Sequence, residues 1–176
     1  TVNGVNHKYQ YLGGQLVYEE FGNQKLYFWY DATGRPVRMR HVNASGTAND
    51  YFYVCNWRGD VTALYSLAGT LLASYEYDAW GKLISVKNPS GAEITDQSNA
   101  AIVNPLRYRG YYYDAESGLY YLMSRYYDPV TKRFINADNI GGQVGELGSH
   151  NIFSYCQNNP VVKFDPTGHF LETIFA

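Results

Sequence analysis

The chain lacks most of the features that assign a protein to a common functional class. It has two cysteines and four histidines in 176 residues, and its formal net charge is −2. No apolar run reaches the roughly 18 residues that a membrane-spanning helix needs. The near-neutral charge leaves no basic stripe of the kind that nucleic-acid binding requires. The sequence therefore predicts neither a membrane span nor nucleic-acid binding.

The cysteines and histidines give no metal or cofactor signature. Cys55 and Cys156 lie far apart without metal-type spacing. A disulfide between them stays open, but the lack of a cysteine framework favours two unpaired core thiols. The histidines show no paired spacing typical of zinc sites, and phosphate-binding loops, dinucleotide fingerprints and nucleophile elbows are all missing. We therefore expect no metal and no cofactor.

What the chain has in excess is tyrosine, in a short phrase that recurs. The 19 tyrosines are roughly three times the usual share. The phrase is Tyr-Asp, a few residues, then Gly, and it occurs at Tyr30–Gly34, Tyr77–Gly81 and Tyr113–Gly118. A near-copy at Tyr127–Lys132 has Lys in place of Gly. Aromatic residues favour strands, while Asp and Gly favour the turns between them. The repeat predicts an all-β fold, an antiparallel β-ribbon of hairpins with little helix, in which each Asp caps its turn.

Other stretches of the chain predict further strands. Lys8–Glu19 alternates tyrosine and aliphatic residues around Gly13-Gly14, a pattern typical of a hairpin. Leu119–Tyr127 fits one continuous strand, with a short helix as the open alternative. Val161–Phe164 predicts a last short strand, followed by a turn at Asp165–Gly168.

Three stretches predict loops or short helices. Asn43–Asn49 is small and polar and predicts a loop. Lys87–Asn104 has few aromatic residues and predicts a second loop, with a short helix around Ile94–Ala101 as the alternative. His150–Gln157 predicts one or two helical turns, with Ser149 as the capping residue.

The second half of the chain closely resembles a known domain. The tract RYRGYYYDAESGLYYLMSRYYDPVTKRFINAD, followed by NIFSYCQNNPVVKFDPTGH, resembles the Rhs-repeat-associated core domain. The upstream YDATG and YDAWG phrases resemble the YD repeats of the same proteins. The resemblance divides the chain into a YD-repeat hairpin region at 1–104, a core domain at 105–169 and the start of a variable C-terminal region at 170–176.

The resemblance implies a fold and a function. In Rhs and YD-repeat proteins the ribbon spirals into a hollow shell that encloses a toxic C-terminal domain, and the core domain helps to close it. The implied partners are the rest of the shell and a C-terminal toxin domain. The implied location is secreted or at the cell surface, as part of a larger bacterial protein.

The resemblance also implies a reaction. Several members cut themselves after a DPxGL sequence in an aspartate-dependent step that frees the payload. The nearest match here is DPTGH, in which His169 stands where Leu is usual. The implied cleavage junction is His169 and Phe170, within a residue or two.

Two carboxylates and two arginines are the candidate site residues. Asp138 and Asp165 are the candidate acid–base pair, since two carboxylates held close can share a proton and activate water. The alternative is that both are turn residues, a role in which Asp is common. Arg125 and Arg133 are candidates to hold a carboxylate, with structural ion pairs or stacking on tyrosine as the alternative.

Two other functional classes remain open from the sequence. Exposed tyrosines could stack on sugar rings in an adhesion or carbohydrate-binding module, and the chain could also be an inactive scaffold fragment. A piece of a ribbon leaves unpaired strand edges, which favour pairing with another chain. Tyr9–Tyr18 and Leu106–Tyr113 are the edges expected to mediate self-association.

Overall fold

The computed structural model of the chain describes residues 4–138, 151–169 and 172–173. These residues form three antiparallel sheets, the largest with eight strands in sequence order. That sheet contains β1 (His7–Leu12), β2 (Gln15–Phe21), β3 (Gln24–Tyr30), β4 (Pro36–Val42), β5 (Ala48–Cys55), β6 (Val61–Ser66), β7 (Leu71–Tyr77) and β8 (Leu83–Lys87). A four-stranded sheet contains β9 (Tyr112–Asp114), β10 (Leu119–Tyr121), β11 (Tyr126–Asp128) and β12 (Arg133–Phe134), and β13 (Lys163–Phe164) pairs with β14 (Glu172–Thr173). The predicted all-β ribbon of hairpins is confirmed.

Helix is scarce in the described part of the chain. The α-helix there is α1 (Ala100–Val103), and the side chain of Asn99 caps it by accepting the Ala101 N–H at 2.9 Å. None of the helices in these residues has the length and apolarity that crossing a bilayer requires.

One four-residue turn recurs between the strands of the large sheet. At Asp31–Gly34 the Gly34 N–H donates to the Asp31 carbonyl at 3.1 Å. The Asp31 carboxylate accepts the backbone N–H groups of Thr33 and Arg35 at 2.8 and 3.0 Å. Gly34 has φ +83°, a conformation that residues with a Cβ rarely adopt. The same bonds recur at Asn43–Gly46, Asn56–Gly59, Asp78–Gly81 and Asn88–Gly91.

The four-stranded sheet uses a turn that is one residue longer. The Gly118 N–H donates to the Asp114 carbonyl at 2.8 Å, and the Lys132 N–H donates to the Asp128 carbonyl at the same distance. Each Asp side chain accepts the backbone N–H two residues further on. Lys132 takes φ +64° where the other repeats have Gly, at a cost of roughly 1 kcal/mol. The capping role predicted for the repeat aspartates is confirmed.

Two predicted loops begin with the tight turn that recurs along the ribbon. Asn43–Asn49 contains the tight turn at Asn43–Gly46, and β5 already begins at Ala48. Lys87–Asn104 opens with the turn at Asn88–Gly91, followed by a bridge between Lys87 and Glu93. The predicted loop at Lys87–Asn104 is therefore confirmed, and the one at Asn43–Asn49 is shorter than predicted because β5 begins inside it. The helical alternative lies a few residues later, at Ala100–Val103.

The expected strand Leu119–Tyr127 is in fact two strands with a sharp turn between them. β10 ends at Tyr121 and β11 starts at Tyr126. The Leu122 N–H donates to the Arg125 carbonyl at 2.9 Å, and Met123 takes φ +65°. The prediction was wrong because this turn contains no Gly, Asn or Pro to mark it.

Predictions for the last part of the chain need smaller corrections. The expected strand Val161–Phe164 is limited to Lys163–Phe164. In place of the helical turns predicted at His150–Gln157 there is a 3-10 turn at Cys156–Asn158. All three of its residues have positive φ, +52°, +49° and +60°, so the turn is left-handed. Ser149 and His150 lie outside the described residues.

The chain divides into two compact units, Thr1–Glu76 with Ser85–Gly110 and Tyr77–Ile84 with Tyr111–Ala176. In the first unit, the Tyr53 hydroxyl donates to the buried Asn104 side chain at 2.7 Å. The Tyr75 hydroxyl donates to the Ala101 carbonyl at 2.8 Å. These bonds attach the segment around α1 to the buried face of the sheet. The domain boundary at 104/105 remains a prediction.

The second unit has a core of aromatic rings. Tyr120, Tyr127 and Tyr155 are fully buried, and the rings of Tyr127 and Tyr155 have centroids 4.0 Å apart. The Tyr120 hydroxyl donates to the Gly81 carbonyl at 2.8 Å, and the Tyr127 hydroxyl donates to the Trp80 carbonyl at 2.7 Å. Tyrosine suits these positions because the ring fills apolar volume while the hydroxyl satisfies a backbone carbonyl.

Two further sequence predictions concern the thiols and the strand edges. Cys55 and Cys156 are free thiols, and burial raises the pKa of Cys55 to about 11. β1 is an outer strand of its sheet with an exposed surface. In Leu106–Tyr113, by contrast, Leu106, Tyr108 and Tyr111 are buried, and only the end of the stretch belongs to an outer strand, β9 of the four-stranded sheet.

Candidate functional site

The guanidinium of Arg125 joins the two candidate carboxylates. Arg125 closes the turn before β11, and 5% of its side chain is exposed. Its Nη1 lies 3.1 Å from Asp138 Oδ2, and its Nη2 lies 3.2 Å from Asp165 Oδ2. The guanidinium carbon also lies 3.6 Å from the ring centroid of Phe134. The fold thus brings together residues that are far apart in sequence and buries them around one cation.

The turn at DPTG holds Asp165 in place. Its Oδ1 accepts the backbone N–H of Gly168 at 2.7 Å and that of Thr167 at 3.3 Å. The Tyr111 hydroxyl donates to the Asp165 carbonyl at 2.8 Å. One oxygen of Asp165 therefore stabilises the turn, as a turn residue would. The other oxygen contacts the buried guanidinium of Arg125, as the candidate acid–base role requires.

Position 168 has no room for a side chain, and glycine is the residue that fits there. It has φ +81°, and a Cβ there would lie 2.4 Å from Ser124 Oγ and 2.7 Å from the Leu122 carbonyl oxygen. Its own carbonyl accepts a hydrogen bond from Arg125 Nε. The backbone just before the candidate junction is therefore held against Arg125.

His169 completes the cluster. Its Nδ1 lies 3.0 Å from Asp138 Oδ1, the carboxylate oxygen that does not face Arg125. The backbone of Asp138 is tied to the chain beyond it, since its N–H donates to the Ile152 carbonyl at 3.0 Å. The candidate junction residue therefore touches one of the candidate carboxylates. Phe170, the other junction residue, lies outside the described residues.

The electrostatics of the cluster depend on burial. Asp165 is completely buried, and this desolvation raises the pKa of its carboxyl, against the opposing effect of Arg125 and of backbone N–H groups. Burial also lowers the pKa of Arg125, opposed by the two carboxylates. One guanidinium thus faces two carboxylates, and burial shifts Asp165 towards its protonated form.

Arg133 is placed elsewhere. It lies in β12 with its side chain exposed, paired through the backbone with Asp128 and bridged to Ser154. Tyr111 and Phe134, which support the cluster, were not identified from the sequence, because no local motif distinguishes them from the other aromatic residues. Within the described ranges, no three His, Cys, Asp or Glu side chains come together as metal ligands would.

The chain has relatives among bacterial proteins, although no family model matches it. It is 39% identical over 173 residues to a tRNA3(Ser)-specific nuclease WapA of Bacillus spizizenii, and the match covers 97% of this chain and 7% of that nuclease. It is 39% identical over 153 residues to the putative uncharacterized protein YibJ of Escherichia coli, and the match covers 87% of this chain and 53% of YibJ. The toxin protein Tse5 of Pseudomonas aeruginosa is 32% identical over 145 residues, which are 82% of this chain and 10% of Tse5.

The similarity to these relatives supports the assignment of this chain to the Rhs type. They include a toxin and a nuclease, so the chain is related to toxin-associated bacterial proteins. It spans 7% of the WapA relative, 53% of YibJ and 10% of Tse5.

Solved structures show the same fold. The crystal structure of TcdB2-TccC3-Cdc42 matches with a TM-score of 0.60 and 20% identity, covering 93% of this chain and 9% of that one. The crystal structure of TcdB2-TccC3 without its hypervariable C-terminal region matches with a TM-score of 0.59 and 20% identity, covering 94% and 9%. The antiparallel hairpin fold is therefore shared with a segment of these much longer chains.

Proposed function

We propose that this chain is the C-terminal part of an Rhs/YD-repeat shell that encloses a C-terminal toxin domain and releases it by cutting itself near DPTGH. The supporting observation is that the DPTGH segment lies against the Arg125–Asp138 pair. Asp165 and Gly168 contact Arg125, and His169 contacts Asp138. Residues 1–104 would form the ribbon, 105–169 the core domain and 170–176 the start of the payload region. The parent protein would be secreted or displayed at the bacterial surface.

The reaction is hydrolysis of the peptide bond that follows His169. A water molecule attacks the His169 carbonyl carbon while Asp138 accepts a proton from it. Asp165, whose burial favours the protonated form, donates its proton to the departing nitrogen of Phe170. The carbon–nitrogen bond breaks, and the products are a carboxylate on His169 and an amine on Phe170. Arg125 contacts both carboxylates and holds the Gly168 carbonyl, which fixes the backbone next to the bond.

The parent protein with its payload region tests this proposal by intact mass. We expect two fragments, with the break after His169 or within a residue or two of it. Arg133→Ala is the matched control, because this exposed arginine lies outside the cluster, and it should be cut like the wild type. A wild-type chain that remains whole under all conditions would contradict the cleavage step and leave the shell role standing.

The exposed edge of the large sheet fits a chain that works as part of a longer ribbon. In β1, Tyr9, Tyr11 and Leu12 are exposed by 39%, 43% and 72%. An outer strand that exposes apolar side chains favours pairing with another strand. We expect the isolated chain to self-associate through β1, and substitution of Tyr11 and Leu12 by lysine to reduce the association. Light scattering that shows a stable monomer at high concentration would contradict this expectation.

A further inference from the structure

His169 is both part of the candidate substrate and a partner of the candidate base. Its carbonyl belongs to the peptide bond that would be cut, and its imidazole Nδ1 lies 3.0 Å from Asp138 Oδ1. The other carboxylate oxygen, Oδ2, lies 3.1 Å from Arg125 Nη1. Both oxygens of Asp138 are therefore engaged, and the contact must change before either can accept a proton from water.

We propose that the His169 side chain restrains self-cleavage by holding Asp138. This inference rests on the proposed self-cleavage and assigns its regulation to the residue at the junction. An imidazole that donates from Nδ1 binds the carboxylate, so Asp138 stays engaged until that hydrogen bond opens.

The surroundings of His169 fix the junction residue beside Asp138. Its backbone N–H donates to Asp165, and Asp138, which its side chain contacts, is paired in turn with Arg125.

Two substitutions of His169 separate the restraint from other roles. In His169→Leu the contact with Asp138 is lost, so the cleavage of the parent protein should be roughly tenfold faster, the difference expected from removing one charge-assisted hydrogen bond. In His169→Asn the side-chain amide can donate from nearly the same place as Nδ1. This variant should be cut as slowly as the wild type.

The order of the three rates decides the inference. If His169→Leu cuts no faster than the wild type, or if His169→Asn cuts as fast as His169→Leu, the restraint is contradicted while self-cleavage stands. If neither protein is cut, both this inference and the proposed cleavage are contradicted.

A readout that does not depend on cleavage checks the contact itself. In Asp138→Asn, the imidazole resonances of His169 should move in an NMR spectrum recorded at fixed pH. His7, which lies 2.7 Å from the carboxylate of Glu19, is the matched control and should keep its resonances. Unchanged resonances of His169 would show that its side chain does not hold Asp138.

Discussion

Replacing either Asp138 or Asp165 by Asn should slow self-cleavage of the parent protein by about 10²- to 10⁴-fold, the usual contribution of a positioned acid or base. Asn has nearly the same size as Asp and can still accept the backbone N–H groups of Thr167 and Gly168, but it cannot transfer a proton at neutral pH. The measurement is the fraction of cut chain over time, by intact mass.

Asp114→Asn is the matched control for these variants. Asp114 caps the turn between β9 and β10 in the same unit, and Asn caps the related turns of the large sheet, which are one residue shorter. It should therefore fold and be cut at the wild-type rate. If both cluster variants are cut as fast as this control, the active residues lie elsewhere and the aspartates are turn residues alone.

The raised pKa of Asp165 also predicts how stability changes with pH. The native chain keeps this proton at pH values where the unfolded chain has already lost it, because burial raises the pKa in the native state. The native state then binds more protons than the unfolded state, so this group's contribution to the free energy of unfolding decreases as the pH rises through that interval. Asp165→Asn should remove this contribution.

Replacing Arg125 by Leu should lower the free energy of unfolding by about 3–5 kcal/mol, since removing one partner of a buried ion pair leaves the other charge uncompensated. Arg125 faces two carboxylates and also donates to the Gly168 and Ile152 carbonyls. The loss is therefore greater than that of an ordinary surface arginine. Chemical denaturation of the chain, followed by circular dichroism, measures it.

Arg133→Leu is the control, because Arg133 is exposed in β12 and most surface substitutions change stability by less than about 0.5 kcal/mol. Arg125→Lys should fall between the two, since a lysine keeps the charge but cannot reach both carboxylates in one planar contact. An Arg125→Leu variant as stable as Arg133→Leu would show that the cluster contributes nothing to folding.

The sequence by itself determined the local geometry of the ribbon. A turn such as Asp31–Gly34 depends on a side chain that accepts N–H groups two and four residues on, and on a Gly that adopts positive φ. Both requirements are met within a few residues, so the turns at Asp31–Gly34, Asp78–Gly81 and Asp114–Gly118 could be predicted. Asn43 and Asn88 meet the same requirement, so these two turns also carry a local signal in the sequence.

The tertiary structure decided what the sequence could not. The break in Leu119–Tyr127 depends on Ser124, whose hydroxyl donates to the Thr167 carbonyl at 2.7 Å, and on Arg125, which contacts Asp138 and Asp165. Resemblance to a family pointed to the two aspartates as candidates, but it ranked Arg125 and Arg133 alike and did not connect His169 with Asp138. Contacts between residues that are tens of positions apart leave no local pattern, because burial and distance are properties of the folded chain. The candidate site exists only where that packing places one buried guanidinium between two carboxylates.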